Sequence, residues 1–340
     1  MQAQPGSNSS DDPDKSWILE QYGENNQELR ACDPKHIKSI ENDLLTSVEK
    51  TTFDSIAGLH DVKEVMNEAV VFPMIRRDLF TNLTAQPKGV LLFGPPGTGK
   101  TLIGKAVASE CGAKFFAISA SSITSKWIGE GEKLVKTLFV VARALQPSII
   151  FIDEVDSLLT SRNDSEHDSS RRIKTEFFIQ LDGASTKKDD FVLIIGTTNR
   201  PQEIDEAARR RFTKRIYVTL PDKESRLALL QYLMKTEEQI SLRENDFHEI
   251  VNLTNGFSGA DMHILCQEAA RLRLRQAIEK ATIRANGNKL EAMRIVDKDI
   301  DYSPLSLDHF KVALQSTRPS VAPSELQHYI EWNQKFGIKQ

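Results

Sequence analysis

Residues Gly94-Pro95-Pro96-Gly97-Thr98-Gly99-Lys100-Thr101 form a complete G-x-x-x-x-G-K-[ST] pattern. Glycines at these places let the backbone curl until successive N–H groups point inward at polyphosphate oxygens. A helix starting near Gly99 adds the positive end of its dipole. Lys100 is expected on the β- and γ-phosphates of ATP, and the Thr101 hydroxyl on Mg²⁺. Further along, the apolar run Ser148–Ile152 ends in Asp153 and Glu154. At a strand end, Asp153 would hold Mg²⁺ through water and Glu154 would polarise the attacking water. Either acid alone would be a weak signal. Paired with the phosphate loop, the two point to hydrolysis of Mg·ATP.

Two further groups could serve that chemistry. Asn199, at the end of an apolar run, could orient the lytic water and sense the γ-phosphate. Arg209, Arg210 and Arg211 follow a short acidic helix expected at Glu203–Ala207. A solvated basic face is their default reading. An arginine supplied in trans, however, raises phosphoryl-transfer rates by about 10³–10⁵-fold. That reading predicts an oligomer with active sites at subunit interfaces.

These groups need a scaffold that brings strand ends together. Strand-length apolar runs occur at Gly89–Phe93, Phe115–Ile118, Ser148–Ile152, Phe191–Ile195 and Arg215–Thr219, alternating with helical stretches such as Thr101–Glu110 and Gly131–Leu145. This alternation implies an α/β domain with a parallel sheet covered on both faces. After Pro221 only helices are expected: Lys223–Met234, Asp246–Thr254, Gly259–Lys280, Leu307–Gln315 and Pro323–Phe336. The segments Glu237–Asn245 and Asn286–Ser303 read as longer surface connections. Tyr329, Trp332 and Phe336 fall on one face of the last helix, which must bury against something.

The expected organisation is a disordered linker over 1–32, an N-terminal helix and linker over 33–52, and a large α/β domain over 53–220. A small helical lid over 221–318 and a C-terminal helical segment over 319–340 follow. Within 33–52, Asp33 caps a helix expected at Pro34–Leu45. The net charge of −4 gives no general pull toward nucleic acid or membrane. Three scattered cysteines argue against a disulfide framework and fit a nuclear or cytoplasmic compartment.

Taken in order, Phe53-Asp54-Ser55-Ile56-Ala57-Gly58-Leu59, the phosphate loop, Ile152-Asp153-Glu154, Thr197-Thr198-Asn199, Arg210-Arg211-Phe212 and Gly256-Phe257-Ser258-Gly259-Ala260-Asp261 resemble the AAA ATPases. The resemblance implies an AAA+ P-loop fold, with a five-stranded parallel sheet, an all-helical lid and a C-terminal helix packed back on the large domain. It implies an ATP-promoted homo-hexamer and leaves the state without ATP open, a monomer being one option. It puts Ile56, Ala57 and Gly58 beside the adenine and Gly259 and Ala260 near the ribose. Gly94 to Leu102 hold the phosphates, Asn199 is the first sensor, and Arg210 and Arg211 are trans-acting fingers. Ser125-Lys126-Trp127-Ile128-Gly129-Glu130-Gly131-Glu132-Lys133 looks like the first pore loop of the meiotic group, which contains katanin, spastin, fidgetin and the endosomal-sorting ATPase. There Lys126, Trp127 and Ile128 would grip a protein substrate, and Ser161–Arg172 looks like a second pore loop. A fidgetin-like wording implies recombinase filaments as substrate; a katanin- or spastin-like one implies tubulin tails. A non-catalytic ATP-binding scaffold and a DNA-handling clamp loader or helicase fit the residues less well. No sequence-specific nucleic-acid contact and no membrane are expected.

Overall fold

The computed structural model describes residues 16–338, apart from 25, 47–50, 81–86, 121–122, 124–129, 161–167, 187–190, 236, 238 and 297–302. Six strands, β1 (Leu45–Thr46), β2 (Gly89–Phe93), β3 (Lys114–Ser119), β4 (Ser148–Asp153), β5 (Val192–Thr198) and β6 (Lys214–Tyr217), form a sheet of order β1-β3-β4-β5-β2-β6. In chain order the helices are α1 (Trp17–Tyr22), α2 (Gln27–Arg30), α3 (Pro34–Ser39), α4 (His60–Met66), α5 (Phe72–Ile75), α6 (Lys100–Glu110), α7 (Gly131–Ala144) and α8 (Asp156–Leu159). They continue with α9 (Asp168–Thr186), α10 (Glu206–Arg211), α11 (Lys223–Met234), α12 (Glu244–Leu253), α13 (Gly259–Arg284), α14 (Lys289–Ile295), α15 (Leu307–Ser316) and α16 (Pro323–Phe336). Packing divides the chain into two units. One is Met1–Phe53, Val65–Leu92 and Gly104–Arg215; the other is Asp54–Glu64, Phe93–Ile103 and Ile216–Gln340.

In the first unit β3, β4 and β5 pair in parallel, with Phe115 opposite Ile149 and Ile149 opposite Leu193. Every residue of β5 is buried, as is every residue of β4 except Asp153, which explains runs of Val, Ile and Phe with no polar alternation. Helix α7 buries Leu134, Leu138 and Phe139, the last edge-on to Phe177 of α9 at 5.9 Å. A Cβ on Gly104 would lie 2.5 Å from the Phe151 ring, so only glycine lets α6 approach β4 this closely.

In the second unit a separate apolar core joins Leu230 and Met234 of α11, Ile250 and Val251 of α12, Met262 and Leu265 of α13, and Phe310 of α15. Helix α16 carries the aromatic face read from the sequence. Trp332 is buried and meets Phe93 edge-on at 4.4 Å, while Tyr329 stacks on Tyr217 at 6.1 Å. Phe93 and Tyr217 end strands β2 and β6, which is what that face covers.

The five expected strands are present, and four differences are corrections. Residues 1–32, expected to be disordered, contain α1 and α2: Ser16 caps α1, Glu41 accepts from the Ser16 hydroxyl and from Ile18 N–H, and Ile18 and Leu29 are fully buried. Two short helices surrounded by polar residues leave no periodic trace. The helix expected over 34–45 stops at Ser39, passes through a π-turn and becomes β1, which pairs antiparallel with β3. Asn288 caps α14 inside a stretch expected as a connection. The three arginines lie within α10 rather than after it, because Asp205 moves the cap toward the C-terminus.

Candidate nucleotide site

The phosphate loop and its surroundings belong to the second unit. Gly94, Gly97 and Gly99 have φ of 146°, 74° and 88°, the region where side chains are strained and glycine is not. These angles turn the loop around the start of α6. Lys100 is buried, and its ammonium donates to Gly94 O at 2.9 Å and Pro95 O at 2.6 Å. Thr98 Oγ1 donates to Pro95 O at 3.0 Å, while Pro96 and Gly97 are exposed at the apex. Thr101 is half-buried and Leu102 is half exposed on the first turn of α6.

Two other parts of this unit close on the loop. Ala260 N–H, in the first turn of α13, donates to Gly97 O at 3.1 Å. A Cβ on Gly97 would come within 2.8 Å of both Ala260 Cβ and Ser258 Oγ, and one on Gly259 within 3.2 Å of Gly97 O. Ile56 is buried, and its carbonyl accepts from Lys63 Nζ. Gly58 has φ of 65° and sits so close to α11 that a Cβ would overlap Ser225 Oγ at 1.8 Å. Of the expected nucleotide contacts, Ile56 to Gly58, Gly94 to Leu102 and Gly259 to Ala260 are all in this one unit.

The acidic strand end belongs to the first unit. Asp153 ends β4; its Oδ1 accepts from the Thr197 hydroxyl and from Glu154 N–H. Glu154 is exposed with φ of 51°, a left-handed setting that costs a non-glycine residue about 1–2 kcal/mol. Val155 N–H donates to Thr197 O at 2.9 Å, and Thr198 Oγ1 donates to Asp156 Oδ1 at 2.6 Å. Thus β5 holds the turn that presents Glu154 outward. Asn199 follows, half-buried. Thr101 and Asp153 each carry an oxygen donor of the kind magnesium takes.

The three arginines have different surroundings. Arg209 Nη1 donates to Ile204 O at 2.8 Å. The Arg210 side chain is 77% exposed and pairs with Glu206 one turn back. Arg211 donates through Nε and Nη2 to both oxygens of Asp182, at 2.8 and 2.6 Å, and lies over the Phe178 ring at 4.4 Å. Asp205, the cap of α10, pairs with buried Lys174 at 2.8 Å. Sequence reasoning missed Thr197, Thr198, Lys174, Asp182, Ser258 and Asp261 as positioning groups. Asp182 and Lys174 are helix-surface residues until a partner distant in sequence is known. The expected pore residues Lys126, Trp127 and Ile128 lie outside the described residues, as does most of the second loop.

A glycine-lined phosphate cradle closed by a lid helix, with an acidic strand end on a parallel sheet, defines a P-loop nucleoside triphosphatase with a helical lid. Residues 90–220 match the ATPase family associated with various cellular activities, 244–286 the AAA+ lid domain, and 284–337 the Vps4 C-terminal oligomerisation domain. The chain belongs to the AAA ATPase family. It is 49% identical over 313 residues to human Fidgetin-like protein 1, a match covering 92% of this chain and 44% of that protein. The chain spans about half the length of the curated relatives it matches. A crystal structure of the FIGL-1 AAA domain in complex with ADP superposes with a TM-score of 0.80 at 48% identity, covering 90% of this chain and 98% of that one. A structure described as the basis for katanin self-assembly gives 0.72 at 35% identity, covering 94% and 97%.

Proposed function

We propose that this chain binds Mg·ATP in the 94–102 cradle and hydrolyses it as one subunit of a homo-hexameric ring. The observation that carries the reading is the glycine cradle closed by the first turn of α13, with Lys100 resting on its carbonyls. On nucleotide entry the Lys100 ammonium leaves Gly94 O and Pro95 O for the β- and γ-phosphate oxygens. Thr101 and Asp153 would hold magnesium, which would neutralise phosphate charge when bound. Glu154 accepts a proton from the attacking water, the bond from the γ-phosphorus to its bridging oxygen breaks, and ADP and phosphate result. Asn199 orients that water. Arg210, exposed and held only by a surface pair, reaches the neighbouring subunit's nucleotide; Arg211 joins it once released from Asp182.

The match of 284–337 to an oligomerisation domain and the likeness to a self-assembling katanin support the ring. In it, Lys126, Trp127 and Ile128 grip a polypeptide in the central pore, and each cycle pulls on it. A recombinase filament is the proposed substrate, in a nuclear or cytoplasmic setting. Tubulin tails are the second reading. Glu154→Gln should bind ATP, turn over at well under a hundredth of the wild-type rate and accumulate as rings in sizing experiments. Normal turnover by that variant refutes the role of Glu154. ATPase titrations with recombinase filaments and with tubulin, each beside Trp127→Ala, separate the two substrates.

A further inference from the structure

Asp261 does more than cap a helix. It is 4% exposed, and its Oδ2 accepts from Ser258 N–H and Ser258 Oγ, both at 2.8 Å. A capping box requires only the backbone contact. The same oxygen also accepts from Ser320 N–H at 3.2 Å and Ser320 Oγ at 3.0 Å, 59 residues further along. On one side the contacts run through Ser258 and Ala260 to Gly97 O at the apex of the phosphate loop. On the other they run through buried Val321 into α16, whose Trp332 meets Phe93, the residue directly before Gly94. The path leaves the loop at its tip and returns at its root.

We propose that Asp261 is a positioning residue that couples nucleotide occupancy of the cradle to docking of the C-terminal segment from Ser320 through α16. The coupling rests on the nucleotide reading above. Release of Ser320 frees Asp261, loosens the first turn of α13 and withdraws Ala260 from Gly97; nucleotide that fixes the loop holds the segment down. By linkage, each event strengthens the other to the same degree.

The test uses the full chain, with a fluorescent ADP analogue plus Mg²⁺ for affinity and amide hydrogen exchange of residues 323–336 for docking. In Ser320→Asp a second carboxylate faces Asp261. Affinity should fall about tenfold, within the usual range of coupling between sites, and ADP should no longer slow exchange in α16 as it does in the wild type. Ser320→Ala, which removes one of four donors, should fall between; it carries the test should the aspartate variant not fold. Ser324→Asp, an exposed serine one turn on, should match the wild type. Wild-type affinity in both Ser320 variants, an equal loss in Ser324→Asp, or no effect of ADP on α16 in the wild type overturns the coupling. Absence of ADP binding to the wild type would instead remove the nucleotide reading, and the coupling with it.

Discussion

Gly97→Ala separates the two demands placed on the apex of the phosphate loop. The first is backbone conformation: at φ of 74° an alanine costs about 1–2 kcal/mol. The second is space, because the new methyl would lie 2.8 Å from Ala260 Cβ and Ser258 Oγ, so loop and helix must part. Parting them forfeits the hydrogen bond from Ala260 N–H to Gly97 O, worth about 1 kcal/mol, and the overpacking adds about 1 kcal/mol more. Gly256→Ala is the reference. Gly256 is in the same unit, has φ of 82°, and its added methyl would meet only Pro319 at 4.0 Å. In urea unfolding without nucleotide, Gly97→Ala should therefore be destabilised by about 2 kcal/mol more than Gly256→Ala. Equal destabilisation within about 0.5 kcal/mol, the usual scatter between independent sites, refutes contact between loop and lid.

Arg210→Ala should keep nucleotide affinity in the monomer and lose most turnover in concentration-matched ATPase assays; unchanged turnover removes the interface role. Lys174→Ala leaves the Asp205 carboxylate without its buried cation and should cost about 3–5 kcal/mol in thermal or urea unfolding. Burial, followed by the nearby Arg273 charge, lowers the His309 pKa, while Ser306 N–H donates to its Nδ1 at 3.1 Å. The unfolded chain thus binds a proton that the folded lid resists. Stability is full above the ordinary histidine range and declines as pH falls through it toward the lowered value. His309→Gln should flatten that slope in urea midpoints measured from pH 7.5 to 5.

The sequence shows the site where chemistry is local and hides it where geometry is. Gly94–Thr101 and Asp153-Glu154 stand out as candidates because phosphate binding needs those residue types at that spacing. The aromatic face of α16 is legible because three rings at helical spacing require a cover, and Phe93 and Tyr217 provide it. The differing environments of the three arginines are not, since Arg209-Arg210-Arg211 reads identically whether Asp182 lies near the third or not. Nor is α1, whose start is held by Glu41, more than twenty residues away. Local propensity carries no information about such pairings.

The polypeptide passes between its two packing units five times, at 53/54, 64/65, 92/93, 103/104 and 215/216. No single cut separates them, so neither is an autonomous module that a protease could release whole. On the ribosome, the phosphate loop emerges long before Ala260, Ser320 and Trp332, which complete its surroundings. The nascent chain therefore carries an unfinished cradle until residues 258–332 are made, and a product cut before them would hold every glycine of the motif without the walls that shape it.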